Sequence, residues 1–400
     1  MSDNLKESKL LQEEMVIHRR WLHSHAEVGF ELGRTKQYVR EQLERMGYHP
    51  KECGKAGLAA TVGKPGKTFL LRADMDALPI PEESGEEFAC RDGSMHACGH
   101  DMHTAMLLGA AKLLKAHEKE LPGTVKLMFQ PAEEIFEGSK DMIANGILED
   151  PKPDGALMIH VTAATPMPSG MVVICAPGVS APAADYFTIR VQGKGCHGSA
   201  PENGVDALTA AAHILIALQE IQAREISASD EVVLTIGTMQ GGTAPNAIAD
   251  AAELKGTIRT YDEKIRSYLK ERMTAISQAV AAAYRANVSV EFGSGCPTLV
   301  NDAKLERLAK SCLKELLGEH MVVAAADVQT GGKSMRGGGS EDFAYVSQKV
   351  PSLMLALAAG QPEKGFPYPQ HHPKVRFDER VLSVGAAAFV QMAVRFLEEN

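Results

Sequence analysis

Apolar positions along this chain change period more than once, and the changes divide it. From about Leu10 to Met46 they recur at helical spacing, with a break near His25–Gly29. TFLLRA (residues 68–73) is a nearly continuous apolar run that reads as a buried strand and stops at Asp74-Met75-Asp76. Residues 103–120 return to helical spacing, with Leu107, Leu108, Ala111 and Leu114 on one face. TVKLMF (124–129) reads as a strand halted by Pro131, and ALMI (156–159) as another ending at His160. Strands alternating with helices predict an α/β core with a mostly parallel sheet.

The texture shifts near Ala184. DYFTIRVQ (185–192) alternates apolar and polar, the mark of a half-exposed antiparallel strand. An Ala-rich helix over about 204–226 follows, then strands at 231–239 and 252–259, a helix at 262–287 and a strand at 288–292. The order β-α-β-β-α-β is ferredoxin-like. It predicts a module of about 110 residues, a normal domain size, inserted into the first domain. The expected division is therefore 1–183 and 294–400 for the core, with 184–293 as the insert. After Gly293 the α/β texture resumes, with a helix at 302–317, a Gly-rich stretch at 331–339, a strand at 352–358 and a closing helix near 380–398.

Composition narrows the class. The 400 residues are 44% apolar and 23% charged, as in an ordinary globular protein. The formal net charge of −9 argues against nucleic acid or a membrane surface as partner, since either needs a basic footprint. Aromatics are sparse at 5%, with one Trp. The first fourteen residues are charged throughout and no apolar run reaches membrane-spanning length, so neither signal peptide nor transmembrane helix is expected. Seven scattered Cys do not form a disulfide framework and suit a reducing cytoplasm.

The chemistry gathers in a few places. Met95–His103 (MHACGHDMH) packs His96, Cys98, His100, Asp101 and His103 into one short stretch. Thiolate, imidazole and carboxylate are the donors that hold zinc and related divalent metals. Gln130-Pro131-Ala132-Glu133-Glu134 follows a strand; of two adjacent carboxylates, one can bind metal while the other takes a proton from water. Asp76 is placed to orient a metal-binding His. His160 ends a strand, and His371-His372-Pro373 lies in a Pro-rich loop; neither says much alone. Asp74, Glu133, Glu134 and His160 share the carboxyl ends of strands, where α/β sheets bind ligands.

Other readings are weaker. Gly193–Gly198 (GKGCHG) matches the dinucleotide pattern GxGxxG, but Pro201 and Gly204 delay the helix that motif needs. Gly331-Gly332-Lys333-Ser334 lacks phosphate-loop spacing. Cys98 as a nucleophile activated by His96 or His100, and a non-catalytic metal-dependent binder of peptides or acyl amino acids, are the alternatives of another class.

Seven segments then occur in one order: 71–79 (LRADMDALP), 95–104, 130–134, 195–201, 241–250, 339–345 and 371–373. The pattern resembles the M20 metallopeptidases, in particular the amidohydrolase branch of hippurate hydrolases, N-acyl-amino-acid hydrolases and auxin-conjugate hydrolases. It runs from about His18 to Asp378. The resemblance implies a two-metal catalytic domain (Zn, Mn, Ni or Co), an inserted lid domain that often forms a homodimer, and hydrolysis of N-acyl amino acids. An aminoacylase-like dipeptidase or carboxypeptidase is the alternative within the family. By position, the implied metal ligands are Cys98, His100, Glu134, His160 and His371, the last preferred to His372 because the family pattern is His-x-Pro. Glu133 matches the catalytic base and Asp76 the supporting Asp. Where other branches have a metal-binding His, this chain has Asp74, which is expected to support the ligands from behind rather than to bind metal. In the lid, His197 resembles a substrate-polarising histidine that reaches the partner subunit's site, and Asn246 and Arg259 resemble residues that hold the substrate carboxylate. Ala26 replaces a Pro in an N-terminal loop pattern, away from the proposed ligands.

Overall fold

A computed structural model describes residues 3–399 except 328, 331–332 and 335–338, so most of the Gly-rich stretch at 331–339 lies outside the described residues. In chain order the main elements are α1 (Asn4–Leu10), α2 (Gln12–Ser24), α3 (Gly33–Arg45), β1 (Lys51–Cys53), β2 (Gly57–Gly63), β3 (Thr68–Asp74) and α4 (His100–Ala116). Then come β4 (Thr124–Gln130), α5 (Gly138–Ala144), β5 (Gly155–Thr162), β6 (Val172–Ile174), β7 (Ala183–Gln192), α6 (Ala207–Glu220), β8 (Val232–Gly241) and β9 (Ala251–Thr260). The chain closes with α7 (Glu263–Ala283), β10 (Asn287–Cys296), α8 (Ala303–Leu317), β11 (Val322–Ala324), β12 (Ser352–Ala358) and α9 (Leu382–Glu398).

The contacts separate two compact units, Met1–Ser180 with Val300–Arg336 and Glu341–Asn400, and Ala181–Leu299 with Gly337–Ser340. The first holds an eight-stranded sheet in the order β1-β2-β4-β3-β5-β12-β6-β11. Its centre, β4-β3-β5-β12, is parallel, and β6 pairs parallel with β11. Each central strand is buried along nearly its whole length, which is why β3, β4 and β12 read as apolar runs rather than alternations. Phe69, Leu71, Leu127, Phe129, Leu157 and Leu355 pack with Met102, Met106 and Leu108 of α4 and Phe389 and Val390 of α9. The segment Glu379–Glu398 is long and apolar enough to cross a membrane, but it is mostly buried in this core.

The second unit is an antiparallel sheet in the order β8-β9-β7-β10, with α6 and α7 supplying Ala211, Ile214, Leu218, Leu269 and Met273 to its core. This is the ferredoxin-like arrangement that the element order predicts.

Several boundaries differ from the sequence reading. Helix α4 begins at His100, not His103, because Gly99 takes a left-handed φ of 92° and turns the chain straight into it. His160 lies inside β5 rather than at its end, since the strand runs on to Thr162. Helix α6 starts only at Ala207, where the Asp206 side chain accepts from the Leu208 and Thr209 amides. Strand β10 continues past Phe292 to Cys296 through an irregularity in its pairing. The three-residue β1, β6 and β11 are too short to show a period, and β2 (GLAATVG) is masked by two Gly and two Ala among its seven residues.

Candidate metal centre

Strand β3 lies between β4 and β5. The chain therefore leaves β3 to one side and later crosses to the other, and a crevice opens at the carboxyl ends of these strands. Asp74 ends β3, and Met75 and Asp76 follow, with the Met75 amide donating to Gln130 O at 2.8 Å. Beyond β4 the loop carrying Glu133 and Glu134 is bent by two left-handed non-glycine residues, Ala132 (φ 55°) and Phe136 (φ 56°). Gly99 brings Cys98 and His100 to the same edge; a Cβ there would strike Val161 Cγ2. After β12 the chain returns to place His371 (φ 64°), whose amide donates to Ala97 O at 2.9 Å.

The five ligands named by the resemblance converge. Donor atoms of Cys98, His100 and His160 lie within 4.8 Å of one another, as do those of Cys98, Glu134 and His371, and those of His100, Glu133 and Glu134. His371 Nε2 is 3.4 Å from Cys98 Sγ and 3.7 Å from Glu134 Oε1. His372 points elsewhere: its Nδ1 accepts from the Lys374 amide, and its ring stacks on Tyr368.

Two histidines are presented in a fixed tautomer. His100 Nδ1 faces the Asp76 carbonyl at 2.8 Å and His160 Nδ1 the Val161 carbonyl at 2.7 Å. A carbonyl only accepts, so each Nδ1 carries its hydrogen and each Nε2 offers a lone pair to the cluster. Asp76 also grips the acidic loop: its Oδ1 accepts from the Glu133 amide at 3.0 Å and its Oδ2 from the Glu134 amide at 3.2 Å.

Burial raises the pKa of Glu134 to about 7, with Asp76 and Asp74 adding to it. Glu133 is held well above the usual carboxylate range, by burial first and then by Glu341, Glu134 and Asp342. Burial pushes the Cys98 thiol up, which disfavours the free thiolate that a cysteine nucleophile needs. Burial also disfavours a charged His100, yet Asp74, Cys98 and Asp76 outweigh it and hold its pKa well above the histidine norm; this acidic surround favours a positive charge at Nε2, where a bound cation would take the proton's place. His100 Nε2 and Glu134 Oε1 are buried without a hydrogen-bond partner. Buried polar atoms left without partners in an acidic, thiol- and imidazole-lined crevice fit divalent cations.

Asp74 was expected behind these donors, but the partners around it were not paired with it in the sequence. His103 Nε2 accepts from the Val161 amide at 2.8 Å, so its Nδ1 donates to Asp74 Oδ1 at 2.6 Å. Asp74 Oδ2 receives Arg72 Nη1 at 2.6 Å, and the Asp74 carbonyl receives Thr104 Oγ1 at 2.7 Å. Asp74 thus spends its hydrogen bonds on its neighbours and stays 3.6 Å from His100 Nε2. Glu341 and Asp342 also reach Glu133; all three have carboxylate oxygens within 4.8 Å of one another. Their only sequence signal was their place in the segment 339–345.

The second unit holds the remaining named residues. His197 and Asn246 meet on a two-stranded ribbon where Cys196–His197 pairs with Ala247–Ile248 and the Gly198 amide donates to Asn246 O at 2.7 Å. No helix opens inside Gly193–Gly198, so the dinucleotide reading has no structural basis. His197 Nδ1 accepts from the Ser199 amide at 3.2 Å, which leaves the hydrogen on its exposed Nε2. Arg259, on β9, donates from Nη1 to Ser340 Oγ at 2.9 Å.

A mostly parallel sheet with overlapping Cys/His/Glu sets at its carboxyl ends defines a metal-dependent hydrolase, and known relatives narrow the class to enzymes acting on amide bonds. Residues 70–395 match the peptidase family M20/M25/M40, and the chain belongs to that family. It is 38% identical over 387 residues to thermostable carboxypeptidase 1 of Saccharolobus solfataricus, covering 94% of each chain. It is 33% identical to an N-acetylcysteine deacetylase of Bacillus subtilis, covering 98% of each. It is 35% identical to an IAA-amino acid hydrolase of Arabidopsis thaliana, covering 96% of this chain and 86% of the relative. A crystal structure of a dinuclear metal-binding peptidase of the M20 family from Bacillus subtilis superposes with a TM-score of 0.78 at 30% identity, covering 98% of this chain and all of the other. The enzyme uses two divalent metal ions.

Proposed function

We propose that the enzyme hydrolyses N-acyl amino acids, such as hippurate-like or N-acetyl conjugates, to a carboxylic acid and a free amino acid. The observation that best supports this is the split of the Glu133–Glu134 pair. Asp76 holds both amides; Glu134 groups with Cys98 and His371 and comes within 3.8 Å of His100, while Glu133 approaches His100 at 4.0 Å with one oxygen and turns the other to the Asp342 amide at 3.4 Å. We assign Cys98, His100, Glu134, His160 and His371 as the ligands and Glu133 as the general base, with Asp76 positioning it. When bound, two divalent ions polarise the substrate carbonyl and acidify water. Glu133 takes the proton of the attacking water as oxygen adds to the amide carbon. His197 donates from Nε2 to the oxygen on which negative charge develops. Glu133 returns the proton to the departing nitrogen, and the C–N bond breaks. Arg259 forks onto the substrate carboxylate, and Asn246 adds a hydrogen bond.

The second unit acts in this reading as a lid, and a homodimer through it supplies His197 to the partner's reaction. Zinc, manganese, nickel and cobalt all accept this donor set. Seven free cysteines fit a reducing cytoplasm. A carboxypeptidase is the second reading, favoured by the 38% identity to thermostable carboxypeptidase 1. Turnover of an acetyl-, benzoyl- and indolylacyl-amino-acid panel beside dipeptides, with each metal in turn, separates them. Cleavage of acyl amino acids above dipeptides is expected. Preference for dipeptides supports the second reading, and metal-dependent binding without turnover leaves only a binding protein.

A further inference from the structure

The Glu133 carboxylate is suspended between two parts of the first unit. Its Oε2 lies 4.0 Å from His100 Nε2, while its Oε1 accepts from the Asp342 amide at 3.4 Å. What fixes residue 342 lies behind it. Asp342 Oδ1 receives Gln130 Nε2 at 2.6 Å and Arg72 Nη2 at 3.2 Å, and its Oδ2 receives the Ser139 amide at 2.9 Å. Glu341 receives Arg72 Nη2 at 2.8 Å and Nη1 at 3.3 Å. Arg72 completes its fork with Nε to Gln130 at 2.8 Å and Nη1 to Asp74 at 2.6 Å. The guanidinium is 1% exposed. Three acids (Glu133, Glu341 and Asp342) crowd one spot, and like charges so placed repel unless a cation stands among them.

We propose that Arg72 is a positioning residue for Glu133, fastening the Glu341-Asp342 segment and neutralising its acids so that the Asp342 amide holds the base in line with the reacting carbonyl. The inference rests on the assignment of Glu133 as base. It reaches residues that touch neither substrate nor metal donors, and the planar fork is the feature that matters. A lysine keeps the charge but cannot serve Gln130, Asp74 and both acids at once.

Arg72→Lys should lower kcat about 100-fold, the scale of an ångström-sized misplacement of a catalytic group, with KM and a content of two metals per chain retained. In a Glu133→Ala background the same change should have no further effect, because it acts through the missing carboxylate. Asp342→Asn, which keeps the size but removes an acceptor from Ser139, should give the same kcat-only loss, and it guards against a lysine variant that fails to fold. Unchanged kcat in either folded variant, a fall in KM-linked binding alone, or a full additional loss on top of Glu133→Ala overturns the proposal. Wild-type turnover by Glu133→Ala itself is a different failure: it removes the base assignment, whatever Arg72 does.

Discussion

Asp76 offers the sharpest structural perturbation. Its two carboxylate oxygens each take one backbone amide, from Glu133 at 3.0 Å and Glu134 at 3.2 Å, and its side chain is fully buried. Asp76→Ala strands both amides. A buried unsatisfied donor costs about 1–3 kcal/mol, so the pair costs roughly 2–6 kcal/mol if water does not enter. The loop they anchor also carries Ala132 and Phe136 in left-handed conformations, each worth about 1 kcal/mol or more of strain that the anchor holds in place. The loss is a large share of the roughly 5–15 kcal/mol by which a folded domain is stable. Urea unfolding of the metal-free protein should show the lowered midpoint at an unchanged slope. Asp76→Asn, keeping one acceptor, should fall about halfway. Turnover should drop with both variants, because Glu133 and Glu134 lose their common anchor. An Asp76→Ala protein as stable as the parent would show that these two amides do not depend on Asp76 for their partners.

Cys98→Ala should lose at least one metal ion per chain by elemental analysis; full occupancy would remove Cys98 from the ligand set. Gly99→Ala should destabilise by about 2 kcal/mol or more in thermal unfolding, since the left-handed turn alone costs roughly 1–2 kcal/mol and the new methyl strikes Val161. Arg259→Ala should raise KM about 10- to 100-fold for carboxylate-bearing substrates, the loss of a bidentate charged pair, and leave substrates without that carboxylate nearly untouched. His23 is buried between Asp101 at 2.8 Å and Glu82 at 3.0 Å; burial and Arg19 oppose its charge, but the two acids prevail and raise its pKa. A raised folded-state pKa stabilises fully below the unfolded value near 6.5 and fades as pH climbs through the folded value. Stability should therefore decline above about pH 6.5, and His23→Gln should flatten that slope; an unchanged slope would exclude His23 as its source.

The fold was legible where burial repeats a simple period. β3, β4 and β12 are buried on both faces, so their apolar runs stood out, and the alternation in β7 marked the second unit. Boundaries were lost where one residue's geometry decides them, as Gly99 does for α4. The donors were legible because few other arrangements need Cys, His and paired Glu so densely. The support behind them was not. Arg72 and Glu341-Asp342 carry no sequence signal beyond their places in the segments 71–79 and 339–345; only the fold shows that 269 residues of separation between Arg72 and Glu341 close into a bidentate contact. His371 over His372 was legible only through the family's His-x-Pro pattern; what the sequence does not announce is the left-handed turn (φ 64°) from which His371 faces Cys98.

The central claim is that Glu133 moves the proton while its neighbour Glu134 and the other four donors hold the metals. Glu133→Ala, reconstituted with metal and measured by elemental analysis alongside turnover of N-acyl amino acids, tests it directly. Two metal ions per chain are expected, as in the parent, with turnover reduced at least about 10⁴-fold, the upper range for loss of a general base. Loss of metal together with activity would make Glu133 a ligand, and turnover near the parent's rate would leave the enzyme without its assigned base.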